Sequence, residues 1–155
     1  MNIILVLLIT SLLSFAPISE LRGAIIFGIS NNVSPIVIFL LCVAINLLVA
    51  PFVFFVMDKL YLLLFKKPLK EHGFIKKFHK KRLRTRIEKF GSIALTIFVM
   101  IPLPITGAWT GSIVAWLMGF SSKKAIPAIS VGVVIAGLIV TLIAMGAISF
   151  LNFLI

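Results

Sequence analysis

The sequence has little charge and almost no cysteine. Of its 155 residues, 12% are charged and 61% are hydrophobic, whereas about a quarter of the residues in soluble domains are charged. This composition excludes an ordinary soluble globular protein. Because Cys42 is the single cysteine, an intramolecular disulfide and a cysteine-based metal site are also excluded. In its apolar surroundings Cys42 is expected to be a small buried hydrophobe.

The chain is also poor in residues that carry out catalysis. It has four acidic residues and two histidines, and His72 and His79 alone are too few ligands for a metal site. It contains no phosphate-binding glycine loop, no zinc-protease helix and no serine-hydrolase motif. We therefore expect no enzymatic activity, no metal and no cofactor.

Long apolar stretches make up most of the sequence. Charge-free segments cover residues 1–19, 23–57, 90–122 and 125–155. Segments of this length and composition are typical of membrane helices. We therefore expect a multi-pass protein of the cell (cytoplasmic) membrane.

Most of the positive charge lies in the segment from Asp58 to Lys89, which contains 12 of the 15 Lys and Arg residues. Basic loops beside membrane helices face the cytoplasm and attract anionic lipid headgroups. No module for nucleic-acid recognition is visible, so membrane lipids, and anionic ones in particular, are the expected partners. Residues 66–89 are expected to form a basic cytoplasmic loop or an interfacial helix. The residues expected at headgroups are Lys76, Lys77, Lys80, Lys81, Arg82, Arg84 and Arg86.

Two of the apolar stretches contain helix-breaking residues. Pro17 and Gly23 interrupt the first, and Pro102, Pro104 and Gly107 interrupt a later one. The arms beside these breaks would be about 14 to 22 Å long as helices, which is too short for a hydrocarbon core of ~30 Å. Each pair of arms is therefore predicted to enter and leave the membrane by one face, as a re-entrant hairpin.

Each predicted hairpin is followed by an apolar run long enough to span the membrane. The fold class is thus all-α integral membrane, with two repeats of a re-entrant hairpin plus a long transmembrane helix. With the basic loop inside, the two repeats are inverted, as in many transporters. The predicted boundaries are 1–65 for the first repeat (hairpin 2–30, transmembrane helix 34–65), 66–89 for the basic segment, and 90–155 for the second repeat (hairpin 91–120, transmembrane helix 125–155).

Two motifs resemble a known family. The sequence SELRGA at residues 19–24, together with PLPITGAWTGS at residues 102–112, resembles the small multidrug export protein family, a distant relative of the DedA proteins with their VTT domain. The resemblance covers essentially the whole chain. It implies two inverted re-entrant hairpins that face each other, and for DedA relatives it implies movement of polyprenyl phosphate or other phospholipids across the bilayer. The acidic motif of DedA proteins is richer than the lone Glu20 here.

The candidate substrate-binding residues cluster in these motifs. Glu20 and Arg22 are ionisable residues far from the basic segment, and such residues inside a membrane are typically functional. The helix expected to start near Gly107 would present free N–H groups that suit a phosphate. The full set is Glu20, Arg22, Gly23, Pro102, Pro104, Thr106, Gly107, Trp109 and Thr110. A structural kink, and a packing role for Trp109, remain alternative interpretations.

Three functions are compatible with the sequence. A lipid flippase or scramblase for an anionic lipid such as polyprenyl phosphate ranks first, because Arg22 beside Glu20 would repel a cation. A proton-coupled small multidrug exporter of hydrophobic cations is the second, and a non-transporting scaffold that binds anionic lipid is the third. Small residues spaced by four, as in Gly107 and Gly111, favour close helix contacts within the chain or in a homo-oligomer.

Overall fold

The fold is described by a computed structural model that covers residues 2–65, 81–103 and 106–154. These residues form helices with short connections, and no strand occurs among them. The helices are α1 (Ile3–Phe15), α2 (Glu20–Ser30), α3 (Pro35–Phe65), α4 (Lys81–Met100), α5 (Ala108–Leu117) and α6 (Ser122–Leu154). The prediction of an all-helical protein is confirmed in this general form.

Two of these helices are long and apolar enough to cross a membrane. The qualifying segments are Pro35–Leu64 in α3, with a mean hydropathy of 2.9, and Ser122–Ala147 in α6, with a mean hydropathy of 2.6. At ~1.5 Å per residue both exceed a hydrocarbon core of ~30 Å. Large apolar side chains such as Leu63 and Leu142 are exposed on their outer faces, which suits a lipid environment.

The other helices are short or partly polar. α1, α2 and α5 contain 13, 11 and 10 residues, so each reaches about halfway through a bilayer. α4 begins at Lys81 and continues without a break to Met100. The end of the basic segment and the arm predicted to start at residue 91 are therefore one helix.

Helix α6 is the central element, and α4, α3, α2 and α5 all pack against it. α1 and α2 pack closely on each other, whereas α4 packs mainly on α6 and little on α5. Gly132 of α6 lets α4 pack closely on α6, because it has no side chain. A Cβ at this position would come within 2.8 Å of Val99 Cβ and 2.9 Å of the Thr96 carbonyl oxygen. The Thr96 hydroxyl also donates to the Ala128 carbonyl at 2.9 Å. The second pair of short arms is thus more open than the first.

A buried polar contact joins α1 to α3. The Asn46 amide Nδ2 donates to the Ser14 hydroxyl and carbonyl oxygens, both at 2.8 Å. The Ser14 hydroxyl in turn donates to the Cys42 carbonyl at 3.1 Å. These side chains are fully buried. Hydrogen bonds of this kind fix how a short arm sits on a spanning helix, where water is not available to compete.

Candidate functional site

The first helix break ends on a buried carboxylate. After a turn that contains Pro17, α2 starts at Glu20. The Glu20 backbone has φ 47°, in the left-handed region, which costs a residue other than glycine about 1 to 3 kcal/mol. The Glu20 side chain is only 6% exposed. Strain and a buried acid at one position indicate that contacts from elsewhere in the fold hold this residue.

Those contacts come from the N-terminus of α5. The backbone N–H of Trp109 donates to Glu20 Oε1 at 3.3 Å. Gly107, which precedes α5, lies directly against the same carboxylate, and a Cβ at this position would overlap it. A helix N-terminus favours negative charge, because its first N–H groups have no partner within the helix. The N–H groups near Gly107 were expected to be free for a phosphate, but that of Trp109 is bonded to Glu20.

Arg22 forms hydrogen bonds with backbone carbonyls at both ends of the second break. Its guanidinium donates to the carbonyl oxygens of Thr106 and of Ile101, the latter at 3.3 Å. Ile101 directly follows α4, and a cation at a helix C-terminus offsets carbonyls that lack helical partners. The Arg22 Nε is buried and has no hydrogen-bond partner among the described residues. The guanidinium therefore keeps one donor unused.

The two helix breaks thus meet inside the fold. Glu20 accepts a hydrogen bond at the N-terminus of α5, and Arg22 donates to carbonyl oxygens at both ends of the second break, those of Ile101 and Thr106. The structure brings together five of the predicted site residues, which are Glu20, Arg22, Thr106, Gly107 and Trp109. These residues were predicted to be site residues from the two sequence motifs, but the contacts between them were not predicted.

The other predicted residues lie at the edge of this cluster or apart from it. Pro102 lines a cavity together with Arg22. Gly23 lies in the first turn of α2 against the Ser19 side chain. The Thr110 hydroxyl accepts the Gly107 N–H at 3.0 Å and so acts at the start of its own helix. Pro104 lies outside the described residues.

Trp109, whose backbone N–H bonds to Glu20, also belongs to an aromatic cluster. The Trp109 indole N–H donates to the Phe15 carbonyl at 2.9 Å. The rings of Phe15, Phe52 and Trp109 meet edge to face, with centroids 5.5 to 6.0 Å apart. Phe15 and Phe52 were not among the predicted residues. The position of Phe15 at the end of an arm, beside a break, is the sequence signal that would have indicated its role.

A cavity of about 380 Å³ adjoins Arg22. The cavity lies between α2 and α6, beside the second break, and its remaining walls are apolar apart from one serine. It is lined by Arg22, Ile26, Ser30, Pro102, Val140, Ile143, Ala144 and Ala147. Volumes of about 300 to 1,000 Å³ are typical of small-molecule sites. Among the residues that the structure describes, Arg22 is the one charged residue in the lining.

A second carboxylate contacts the other end of α5. The Trp116 indole N–H donates to Asp58 Oδ1 at 2.6 Å, and the Tyr61 ring meets the Trp116 ring edge to face. Trp116 is buried. The contact joins α5 to α3, so both ends of α5 are bonded to acids from the first half of the chain. Sequence analysis did not pair these residues, because 58 positions separate them.

Four of the basic residues expected at lipid headgroups lie in the described part of the chain, and three do not. Lys76, Lys77 and Lys80 lie outside the described residues. Lys81, Arg82, Arg84 and Arg86 lie in the first turns of α4. Within the described ranges, no three His, Cys, Asp or Glu side chains come together as metal ligands would.

Comparison with known protein families gives a match over most of the chain. A family model described as "Putative small multi-drug export protein" matches residues 20–139, which include Glu20, Arg22 and the second helix break. No curated protein and no solved structure matches the chain significantly. A relationship to DedA or VTT-domain proteins finds no support in these comparisons. The match covers well over half of the sequence, and the chain therefore belongs to the small multidrug export protein family.

Proposed function

We propose that the chain is a membrane transporter that flips or scrambles an anionic lipid such as polyprenyl phosphate. One observation carries the proposal, namely the Arg22 guanidinium at the junction of two helix breaks, beside an apolar cavity. A fixed positive charge in a medium of low dielectric attracts an anion and repels a cation. Broken helices at membrane depth are typical of substrate paths.

The proposed architecture has two inverted repeats, each with a re-entrant hairpin and a transmembrane helix. Its support is the order of the helices, since each half has two helices on either side of a break followed by one long apolar helix. The contact between the breaks at Glu20 and Trp109 also favours hairpins that face each other. The greater opening between α4 and α5 makes the second hairpin the looser one.

The proposed location is the cytoplasmic membrane, with the basic segment inside. The support is the family description, the two long apolar helices and the positive charge between Asp58 and Lys89. A DedA-like mode of action remains part of the proposal on the strength of the sequence motifs at residues 19–24 and 102–112. The proposed partners are membrane lipids, and neither an enzymatic reaction nor a cofactor is invoked.

A flux measurement tests this function. Purified protein in vesicles should accelerate the transbilayer movement of a fluorescent polyprenyl-phosphate probe, and Arg22→Ala should slow it. Arg22→Lys, which keeps the charge, should retain more activity than Arg22→Ala. Lys59→Ala is the matched control, because Lys59 lies against Phe55 on α3, away from the breaks. Circular dichroism verifies that each variant is folded. Equal rates in protein-free vesicles would refute the proposal.

Export of hydrophobic cations is the second candidate, favoured by the family description. It would require a membrane-embedded carboxylate that exchanges protons for drug, and Glu20 is that carboxylate. The aromatic rings of Phe15, Phe52 and Trp109 beside it suit a hydrophobic cation. Two features weigh against this function, since Glu20 is bonded to α5 and Arg22 lies close by.

A drug-susceptibility assay separates the two transport functions. Cells that express wild type, Glu20→Gln or Arg22→Ala are compared for growth in several cationic drugs. Resistance that is lost with Glu20→Gln and kept with Arg22→Ala would establish cation export. No resistance from wild type, together with lipid flux that depends on Arg22, would establish the anionic lipid.

A further inference from the structure

We propose that the cavity between α2 and α6 is a lateral binding groove for an amphiphile with one aliphatic chain, whose anionic head lies at Arg22. The proposal rests on the proposed function for its role in transport, and it names which lipids the same site accepts. It depends on three observations, which are the charge at one end, the apolar walls and the exposed rim.

The charged end is fixed by the packing of α2 on α6. A Cβ at Gly137 would come within 3.0 Å of Leu21 Cδ1, so the start of α2 lies beside this part of α6. Arg22 follows Leu21 directly, and the Arg22 Nε is buried without a partner among the described residues. A buried donor without an acceptor is costly in an apolar medium. Because the Nε atom is enclosed by protein, an anionic headgroup in the cavity would instead pair with the positive charge that Arg22 contributes to the lining.

The groove extends from this end along both helices. Arg22, Ile26 and Ser30 are spaced by four on α2, so they share one face over about 12 Å. Val140 and Ala144 form a buried floor on α6. The described lining offers no second charge to a ligand, so the part of the ligand beyond the headgroup is expected to be apolar.

The rim of the groove is open. Ile26 and Ile143 are 53% and 61% exposed, and Ala147 is also exposed. An amphiphile could therefore enter sideways from the surrounding lipid. The volume of about 380 Å³ is near the lower end for ligand sites. Because the volume is this small, we expect the groove to hold one aliphatic chain rather than two.

Three matched ligands test this inference on the purified full chain in nonionic detergent. Dodecyl phosphate has one tail and an anionic head, dodecyltrimethylammonium has the same tail and a cationic head, and didodecyl phosphate has two tails. Equilibrium binding is measured with protein-free micelles subtracted. Dodecyl phosphate should bind about tenfold more tightly than either of the others. Equal binding of the cationic ligand, or of the two-tailed ligand, would overturn the proposal.

Two neighbouring variants locate the site. Ala147→Phe places a ring at the rim and should weaken binding of dodecyl phosphate by about tenfold, as would the loss of about two buried methylene groups. Gly146→Phe is the control, because a Cβ at Gly146 has nothing within 4 Å. Equal binding by the two variants would overturn the proposed location.

The same variants distinguish failure of the site from failure of the function. If binding behaves as expected but the wild type moves no lipid across vesicles, the transport function fails and the groove stands. If wild type and Ala147→Phe move lipid equally well, the function stands and the groove is not its site.

Discussion

The carboxylate of Glu20 accepts a hydrogen bond from the backbone N–H of Trp109, which lies 89 positions further along the chain. Glu20 is thereby a capping group for a helix to which it does not belong. Arg22, two positions later, donates to carbonyl oxygens at both ends of the break that precedes this helix, those of Ile101 and Thr106. A break in a membrane helix leaves polar backbone groups that lipid cannot satisfy, and here two charged side chains satisfy some of them.

The first prediction concerns Gly107, whose Cα lies against the Glu20 carboxylate. Gly107→Ala should destabilise the protein by about 1 to 3 kcal/mol, as overpacking typically does. Unfolding in sodium dodecyl sulfate, followed by circular dichroism, measures the change. Gly146→Ala should have a small effect, because that position is open. In a Glu20→Ala background the cost of Gly107→Ala should fall, and an unchanged cost would contradict the contact.

The second prediction concerns the contact between Trp116 and Asp58. Trp116→Phe removes the donor and leaves a carboxylate oxygen unpaired, which should cost about 1 to 3 kcal/mol. Asp58→Asn keeps an acceptor oxygen and should cost less. The free energies of unfolding of both single variants and the double variant give the coupling energy. Strictly additive values would show that the bond contributes nothing.

The third prediction concerns topology. In a Cys42→Ala background, single cysteines at Met1, Asn31 and Ile155 should react with a membrane-impermeant maleimide from outside. A cysteine at Lys76 should react only after the cytoplasmic face is exposed, because the basic segment is expected inside. Labelling of intact cells against inverted vesicles measures this. Any other pattern contradicts the inverted arrangement.

The fourth prediction separates the basic segment from the transport site. Replacing Lys76, Lys77, Lys80 and Arg82 with Gln should weaken association with anionic vesicles by about 1 kcal/mol for each charge that lies near the surface. The effect should shrink as salt is added. Arg22→Ala should leave this association unchanged. If neutralising the segment abolishes lipid binding while Arg22→Ala has no effect on binding or on lipid flux, the chain is a lipid-binding scaffold.

Local structure could be predicted from the sequence with some success. Proline lacks a backbone N–H group and disfavours a continuing helix, so the interruptions beside Pro17 and Pro102 follow from composition. The rule is not general, because Pro51 and Pro127 lie inside α3 and α6. Apolar length likewise identifies α3 and α6 as candidate spans. A helix was one of two predictions for the basic segment, but its continuation from Lys81 to Met100 as a single helix was not predicted, because the change from charged to apolar residues near residue 90 was taken as a boundary.

Contacts between distant residues could not be predicted in the same way. Glu20 and Trp109 meet because of how α2, α3 and α5 cross, and crossing angles depend on side chains from several helices at once. The choice of α6 over α5 as the partner of α4 depends on Gly132, where the missing side chain permits close approach. Spacing along one chain contains no information on either point.

The exchange of caps between the two breaks also bears on how the protein is made. When the ribosome has completed α1 to α3, the N–H and carbonyl groups that bind Glu20 and Arg22 have not yet been synthesised. Until α5 arrives, both charges must stay near water or be held by the insertion machinery. The first half of the chain therefore cannot reach its final arrangement until the second half has been synthesised.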